Sequence, residues 1–322
     1  MQCRADRSVA GGPTAISAIF QTQGLGATKR PRFDRNPPLC DHSPPRKGQG
    51  LRGSHYASLK PLYLNGSSRM LVTILPAFTD NYIFALNLCN GVAVVDPGDA
   101  SVVARHLQEV GGQLRAILIT HHHPDHIGGM ARLSTQWPAA RRIGPVDSRI
   151  TGLTEWVHDG EEVVLDDDCV LRVMATPGHT RSHIVYLGKD QVFCGDVLFS
   201  LGCGRNFEGD AAQMLSSLDL LAALPDSTRV YCAHEYTLAN ARFASKLDPN
   251  NADLRQRVAD IHDLRQRGLP SIPTNIGSER RCNPFLRCDD PSIWAAANRY
   301  AEEILPNRTA VFATLRAWKS AL

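Results

Sequence analysis

From residue 71 onward the chain runs in short apolar stretches separated by turn residues. Residues 71–75, 82–88 and 92–95 are rich in β-branched and aromatic side chains, and Asn90-Gly91 between the last two is a hairpin-type pair. Asp96-Pro97-Gly98 closes the third stretch. Val102, Val103, Leu107 and Val110 then fall near helical spacing over 101–110, with Gly111-Gly112 as the stop. Residues 115–119 (Arg-Ala-Ile-Leu-Ile) form a short apolar run of the kind found in a sheet covered on both faces. Further strands are predicted near 162–165, 169–174, 183–187, 191–194 and 229–232, with a helix near 211–223 between the last two. Past about residue 238 the period changes, and 238–247, 251–267, 291–304 and 309–319 read as helices. The pattern predicts an α/β domain over 70–237 followed by a helical domain over 238–322.

Residues 1–69 show neither period. They hold eleven Lys and Arg against three Asp, a balance of +8, which leaves −5 for the rest of a chain whose total is +3. Pro37-Pro38, Pro44-Pro45 and several glycines interrupt any repeat. Such a stretch buries too little apolar surface to offset its ordering entropy, so a disordered basic extension is expected. Its Arg-rich, acid-poor composition also fits a targeting segment, although the prolines disfavour the amphipathic helix such a segment needs. An upstream start codon is the reading favoured here, because Met70 opens the first clean apolar run. Over the whole 322 residues, 43% hydrophobic and 21% charged composition excludes a fibrous or wholly disordered protein. The longest apolar runs fall short of a membrane span, and the net charge is too small to argue for nucleic acid. The nine cysteines, scattered from Cys3 to Cys288 without a CxxC pair, point to a reducing compartment and a cytoplasmic location.

The chemistry concentrates after the 115–119 strand, in Thr120-His121-His122-His123-Pro124-Asp125-His126. Imidazole and carboxylate donors in a tight turn at a strand's end suit zinc, iron or manganese. His121 and His123 can converge on one ion, and Asp125 and His126, around the bend, on a second; His122 lies between and is expected to point elsewhere. Three more donors each follow a predicted strand: His179 in Thr176-Pro177-Gly178-His179-Thr180, Asp196 in Cys194-Gly195-Asp196, and His234 in Cys232-Ala233-His234-Glu235-Tyr236. Two cations demand a bridging anion. The division that follows is His121, His123 and His179 on one ion, and Asp125, His126 and His234 on the other, with Asp196 between. Ions about 3.5–4 Å apart would generate a hydroxide and polarise a carbonyl without any Ser or Cys nucleophile. Asp96, at a strand end, is a candidate for orienting one of the histidines. Cys194, Cys203 and Cys232 read as small buried residues.

These elements resemble the metallo-β-lactamase superfamily, a four-layer αββα sandwich with metals at one edge. Taken in order, THHHPDH, TPGHT, GD and HEYT look more narrowly like the glyoxalase II (hydroxyacylglutathione hydrolase) family. The opening Pro76-Ala-Phe-Thr-Asp-Asn-Tyr82 and the later Asn283-Pro-Phe-Leu-Arg287 are further matches, so the resemblance covers Met70 to near Leu322. It implies an αββα sandwich with an all-helical carboxyl-terminal domain and two divalent ions per chain, zinc first, with iron or manganese as alternatives. The implied reaction is hydrolysis of S-D-lactoylglutathione and related 2-hydroxyacyl thioesters by a hydroxide held between the ions, the second step of methylglyoxal detoxification. Asp125 and Asp196 are then catalytic as well as ligating.

The resemblance also implies glutathione contacts from Arg205, Tyr236, Arg316 and Lys319. Guanidinium forks suit the tripeptide's carboxylates, and a tyrosine can donate one hydrogen bond. Arg205 stands where some members carry lysine. Phe207 stands where some carry tyrosine, which removes a hydrogen bond there. The expected partner is thus a glutathione thioester, with no nucleic acid and no membrane, and the expected state is a monomer. The rival reading on the same sandwich is a persulfide dioxygenase with one iron on two His and one Asp. The long helical tail and the R-x-x-K ending speak against it, and a metal count with an oxygen-uptake assay separates the two.

Overall fold

The computed structural model describes residues 70–322, so the expectations for residues 1–69 lie outside the described residues. A meander of β1 (Val72–Ala77), β2 (Asn81–Leu88) and β3 (Gly91–Val95) opens the chain. Helix α1 (Ala100–Val110) then crosses over to β4 (Leu114–Leu118), which lies parallel to β3. The predicted helix stop is met physically: Gly111 adopts the left-handed conformation at φ 63°, while the Asp99 side chain caps the other end on Ser101 N. After α2 (Pro124–Ile127) and α3 (Met130–Gln136), β5 (Arg141–Pro145) and β6 (Glu155–Val157) complete a sheet ordered β1-β2-β3-β4-β5-β6.

The second sheet takes β7 (Glu162–Asp166), β8 (Cys169–Ala175), β9 (Ile184–Leu187) and β10 (Gln191–Gly195). A small hairpin, β11 (Leu198–Phe199) with β12 (Gly202–Cys203), and helix α4 (Ala211–Ala222) precede β13 (Arg229–Cys232), which pairs parallel to β10. Helices α5 (Thr237–Leu247) and α6 (Ala252–Gln266) follow. Next come a two-residue strand β14 (Thr274–Asn275), α7 (Ile276–Cys282), α8 (Pro291–Ala301) and α9 (Arg308–Ser320). The sheet order is β14-β13-β10-β9-β8-β7.

Strand periodicity sorts the core into layers. Tyr82, Phe84 and Leu86 of β2 share one apolar cluster with Leu171, Val173 and Phe193 of the second sheet, whereas Ile83 and Ala85 pack with Val103 and Leu107 of α1 and Leu133 of α3. The cluster between the sheets continues through the second sheet to Met214 and Leu218 of α4 and to Phe285, Phe312 and Leu315 of the carboxyl-terminal helices. The result is helix, sheet, sheet, helix, as the resemblance implies. The helical addition shares the sandwich's core and lends β14 to its sheet edge. Asn283 fastens the two, its amide donating to the carbonyls of Phe199 (3.2 Å) and Gly202 (2.9 Å) in the small hairpin.

Among the elements that depart from the predicted pattern, β5 and α8 do so for clear local reasons. Strand β5 opens with Arg141-Arg142, so it carries no apolar alternation. The structure satisfies it with charge: Arg141 forks onto Glu155 of β6 at 2.7 Å through both Nε and Nη2. Helix α8 stops at Ala301 rather than 304, because Glu302 turns left-handed at φ 56° ahead of Pro306.

Candidate metal centre

Four loops at one edge of the sandwich supply the predicted donors. His121 and His123 follow β4, Asp125 and His126 sit in the short α2, His179 lies in the β8–β9 turn, Asp196 follows β10 and His234 follows β13. All seven meet. His121 Nε2 and His179 Nε2 each lie 3.0 Å from His123 Nδ1. Asp125 Oδ2 is 3.4 Å from both His126 Nε2 and His234 Nε2. Asp196 spans the two groups: its Oδ2 is 3.5 Å from His179 Nε2 and 3.4 Å from His234 Nε2, and its Oδ1 is 3.4 Å from His126 Nε2. The two triads, His121/His123/His179 and Asp125/His126/His234, are each compact enough to share an ion.

An outer layer aims these donors. Asp96, left-handed at φ 51° beyond β3, accepts from Thr120 N (2.8 Å), Thr120 Oγ1 (2.7 Å) and His126 Nδ1 (3.0 Å). Because Thr120 Oγ1 donates to Asp96, it accepts from His121 Nδ1 at 3.0 Å. His179 Nδ1 donates to the Arg205 carbonyl (2.9 Å) and His234 Nδ1 to Asp80 (2.9 Å). In four of the histidines Nδ1 is thus engaged outward and Nε2 faces the cluster; His123 is turned the other way. Asn81 Nδ2 donates to Asp125 Oδ2 at 2.9 Å.

The electrostatics differ between the two triads. Burial and neighbouring imidazoles hold His121 well down, and burial with His179 and His122 nearby pushes His123 down to about 4. Burial also lowers His179, against the pull of Asp196. On the other side burial opposes charge too, yet the carboxylates win. Asp196, Asp96 and Asp125 raise His126, and Asp125, Asp196 and Asp80 raise His234 to about 10. The carboxyls of Asp125 and Asp196 are held below their usual range: burial works against ionisation, and His126 and His234 outweigh it.

The donor set fits divalent ions on two observations. Donors on a tetrahedral ion with bonds near 2.0–2.1 Å lie about 3.3 Å apart, close to the separations here. His126 Nε2 and Asp196 Oδ1 are also buried and make no hydrogen bond among the described residues, which is costly unless something positive sits between them.

The remaining predicted residues surround this centre. The Tyr236 ring stacks on His234 (centroids 4.6 Å apart, 5° between planes), and Arg205 is exposed close enough for its charge to act on the Tyr236 hydroxyl. Phe207 stands edge-on against His123 and His179 at 5.6 and 5.3 Å. Helix α9 brings Arg316 to the Cys203 carbonyl (2.8 Å) and Lys319 to the Ala239 carbonyl (2.9 Å). Arg316 and Lys319 also lie over the rings of Phe285 and Phe243. Burial and the Arg316 charge lower Lys319 to about 8. His122 points away from the cluster, toward Asp147 and Glu208 at 3.6 and 3.7 Å. Asp96 holds a histidine as the sequence suggested. The supporting roles of Asp80, Asn81 and Thr120 have no signal of their own in the sequence. The nearest hint is that Asp80 and Asn81 fall inside the family-like opening segment.

Fold and site together define a protein of the metallo-β-lactamase class, and the family model described as Metallo-beta-lactamase superfamily matches residues 78–234. A second model, described as Hydroxyacylglutathione hydrolase C-terminus, matches residues 235–322. The hydroxyacylglutathione hydrolase of Aeromonas salmonicida is 49% identical over 249 residues, covering 77% of this chain and 98% of that protein. The one from Photobacterium profundum is 45% identical over 251 residues, covering 78% of this chain and 98% of its own length. The chain belongs to the hydroxyacylglutathione hydrolase family. Among solved structures, ETHE1 from Myxococcus xanthus superposes with a TM-score of 0.53 at 27% identity, covering 78% of this chain and 99% of that one.

Proposed function

We propose that the chain hydrolyses the thioester of S-(2-hydroxyacyl)glutathione, typified by S-D-lactoylglutathione, to the 2-hydroxy acid and glutathione. The observation that carries this reading is the convergence of seven imidazole and carboxylate donors with Asp196 within 3.5 Å of members of both triads. His121, His123 and His179 would hold one ion, Asp125, His126 and His234 the other, and Asp196 both. A bound divalent pair supplies an activated water at neutral pH and draws charge from a carbonyl oxygen.

The chain's own residues do the rest. Asp80, Asp96, Thr120 and the Arg205 carbonyl fix the histidine rings, so the donors need no rearrangement when the reaction begins. Tyr236, beside His234, offers a hydroxyl to the tripeptide, and burial and the surrounding carboxylates keep it protonated at neutral pH. Arg205, Arg316 and Lys319 supply cations for the two glutathione carboxylates, and so position the thioester over the metal edge. A thiolate is a good leaving group, so no strong general acid is required at sulfur.

The finer parts of the reading are zinc as the metal, action as a monomer and a cytoplasmic location. The His-rich donor set supports the first, and the free cysteines of the described residues support the last.

Turnover of lactoylglutathione, followed by thiol release, tests the proposal. Asp196→Ala is expected to lose bound metal and to lower kcat/KM by at least about a thousandfold together, because that carboxylate serves both triads. Full turnover by a protein stripped of both ions would overturn it, and oxygen uptake with a glutathione persulfide would turn the reading toward the rival oxidation.

A further inference from the structure

His183 belongs to neither triad, yet it is among the most enclosed polar side chains of the site, 1% exposed. Its ring lies along that of His121, centroids 4.8 Å apart and planes 26° apart. Its Nε2 faces the backbone N–H of Asp196 at 3.2 Å, and its Nδ1 faces Thr176 Oγ1 at 3.1 Å. A backbone N–H can only donate, so Nε2 must present its lone pair there, and the ring's single proton sits on Nδ1, directed at Thr176. Both ring nitrogens are then engaged, and neither is free to bind an ion.

The backbone around this contact is built for it. Gly195 turns left-handed at φ 49° at the end of β10, just before Asp196, and a Cβ there would lie 2.8 Å from His183 Nε2 and 2.6 Å from Thr120 Oγ1. Only glycine lets the chain close on the imidazole at that point. His183 is itself anchored on both sides. Its carbonyl accepts from Thr176 N at 2.9 Å, and the next residue, Ile184, donates to the Thr120 carbonyl at 3.0 Å. The ring is therefore a fixed post between the loop that carries His121 and the turn that carries Asp196.

We infer that His183 is a positioning residue that sets the Asp196 carboxylate between the two triads, by accepting the Asp196 N–H while packing on His121. This rests on the two-ion reading of the site. Without the acceptor, the Asp196 N–H is buried and unpaired, and the turn shifts toward whatever can satisfy it. The donors of the first triad approach from other loops, and His121 and His179 keep their own outer partners, so the loss falls on the shared carboxylate and on the second ion.

The test compares His183→Phe, which keeps an aromatic ring but has no acceptor, with His183→Gln, whose side-chain carbonyl reaches the Nε2 position. Zinc binding is titrated by calorimetry on the metal-free full chain, and exchange coupling is read by electron paramagnetic resonance on the manganese-loaded form. Wild type is expected to bind two ions and show a coupled manganese pair; a single ion in wild type would sink the two-ion reading itself, independently of His183. Given two ions, His183→Phe is expected to keep the first affinity within about threefold, weaken the second at least tenfold and lose the coupling, while His183→Gln restores both. His183→Phe with two wild-type affinities and intact coupling would overturn the inference. Should the Phe variant fail to fold by circular dichroism, a folded Gln variant lacking the coupling would overturn it equally, and one retaining it would support it.

Discussion

At the scale of single residues, the two triads differ in how tightly they hold protons. His121, His123 and His179 are pushed down by burial and by neighbouring imidazoles, with His123 at about 4. His126 and His234 are pushed up by carboxylates, His234 to about 10. A metal must displace any proton on its ligand. The first triad is already unprotonated at pH 7, so its affinity is expected to stay nearly flat from about pH 6 to 9. The second must release protons over that interval, so its affinity is expected to climb by roughly tenfold per pH unit for each proton released. Zinc titrations at several pH values check this, with the second ion leaving first on acidification; parallel slopes for both ions would contradict it. The donors themselves were legible in the sequence, because HxHxDH is contiguous and the other three follow apolar strands. Their outer partners were not. Asp80 reaches His234 only because Tyr82 N bonds the Ala233 carbonyl at 2.7 Å and Glu235 N the Asp80 carbonyl at 2.8 Å, a junction between distant segments that no local pattern encodes.

At the scale of elements, α9 carries the clearest consequence. Arg316 and Lys319 share one face of this helix, three residues apart, and reach Cys203 and Ala239 beside the site. Their contacts with glutathione would be alike in ground and transition states, so Arg316→Ala and Lys319→Ala are each expected to raise KM about five- to thirtyfold with kcat little changed. Lys319 sits at about 8, and a cation is lost as pH rises through its pKa. The wild-type KM should therefore climb above pH 8, and that rise should vanish in Lys319→Ala; steady-state kinetics from pH 7 to 9 decide. Strands with period-two apolar residues and the helices α1, α4, α5, α6, α8 and α9 were readable from the chain. Strands β5, β6, β11, β12 and β14 and helices α3 and α7 were not; β5 depends on an Arg141–Glu155 fork rather than on apolar alternation, and β14 is two residues added to an existing edge.

At the scale of the whole molecule, the sandwich and the helices after residue 237 share one apolar cluster, from Phe84 through Phe193 to Phe285 and Phe312. The division into 70–237 and 238–322 is a proposal about function rather than about independent folding. Residues 70–322 are expected to unfold in one thermal transition, and a 70–237 fragment to lose cooperative folding, because α4 would expose the face that α9 packs against, where Arg308 pairs with Asp219 at 2.6 Å. Two resolved transitions in calorimetry would contradict this. The overall class was readable because its signature side chains follow strands in order. The meeting of four loops was expected from donors recurring after strands; what the sequence could not carry was the layer of side chains that aims them, which depends on how the two sheets face each other.

Anomalous scattering from crystals of the metal-loaded protein would show whether the four loops meet around a pair of ions. Data on either side of the zinc absorption edge should show two peaks about 3.5–4 Å apart. One should lie among His121, His123 and His179, the other among Asp125, His126 and His234, with the Asp196 carboxylate reaching both. A single peak, or a second peak away from Asp196, would rule out a shared two-ion centre.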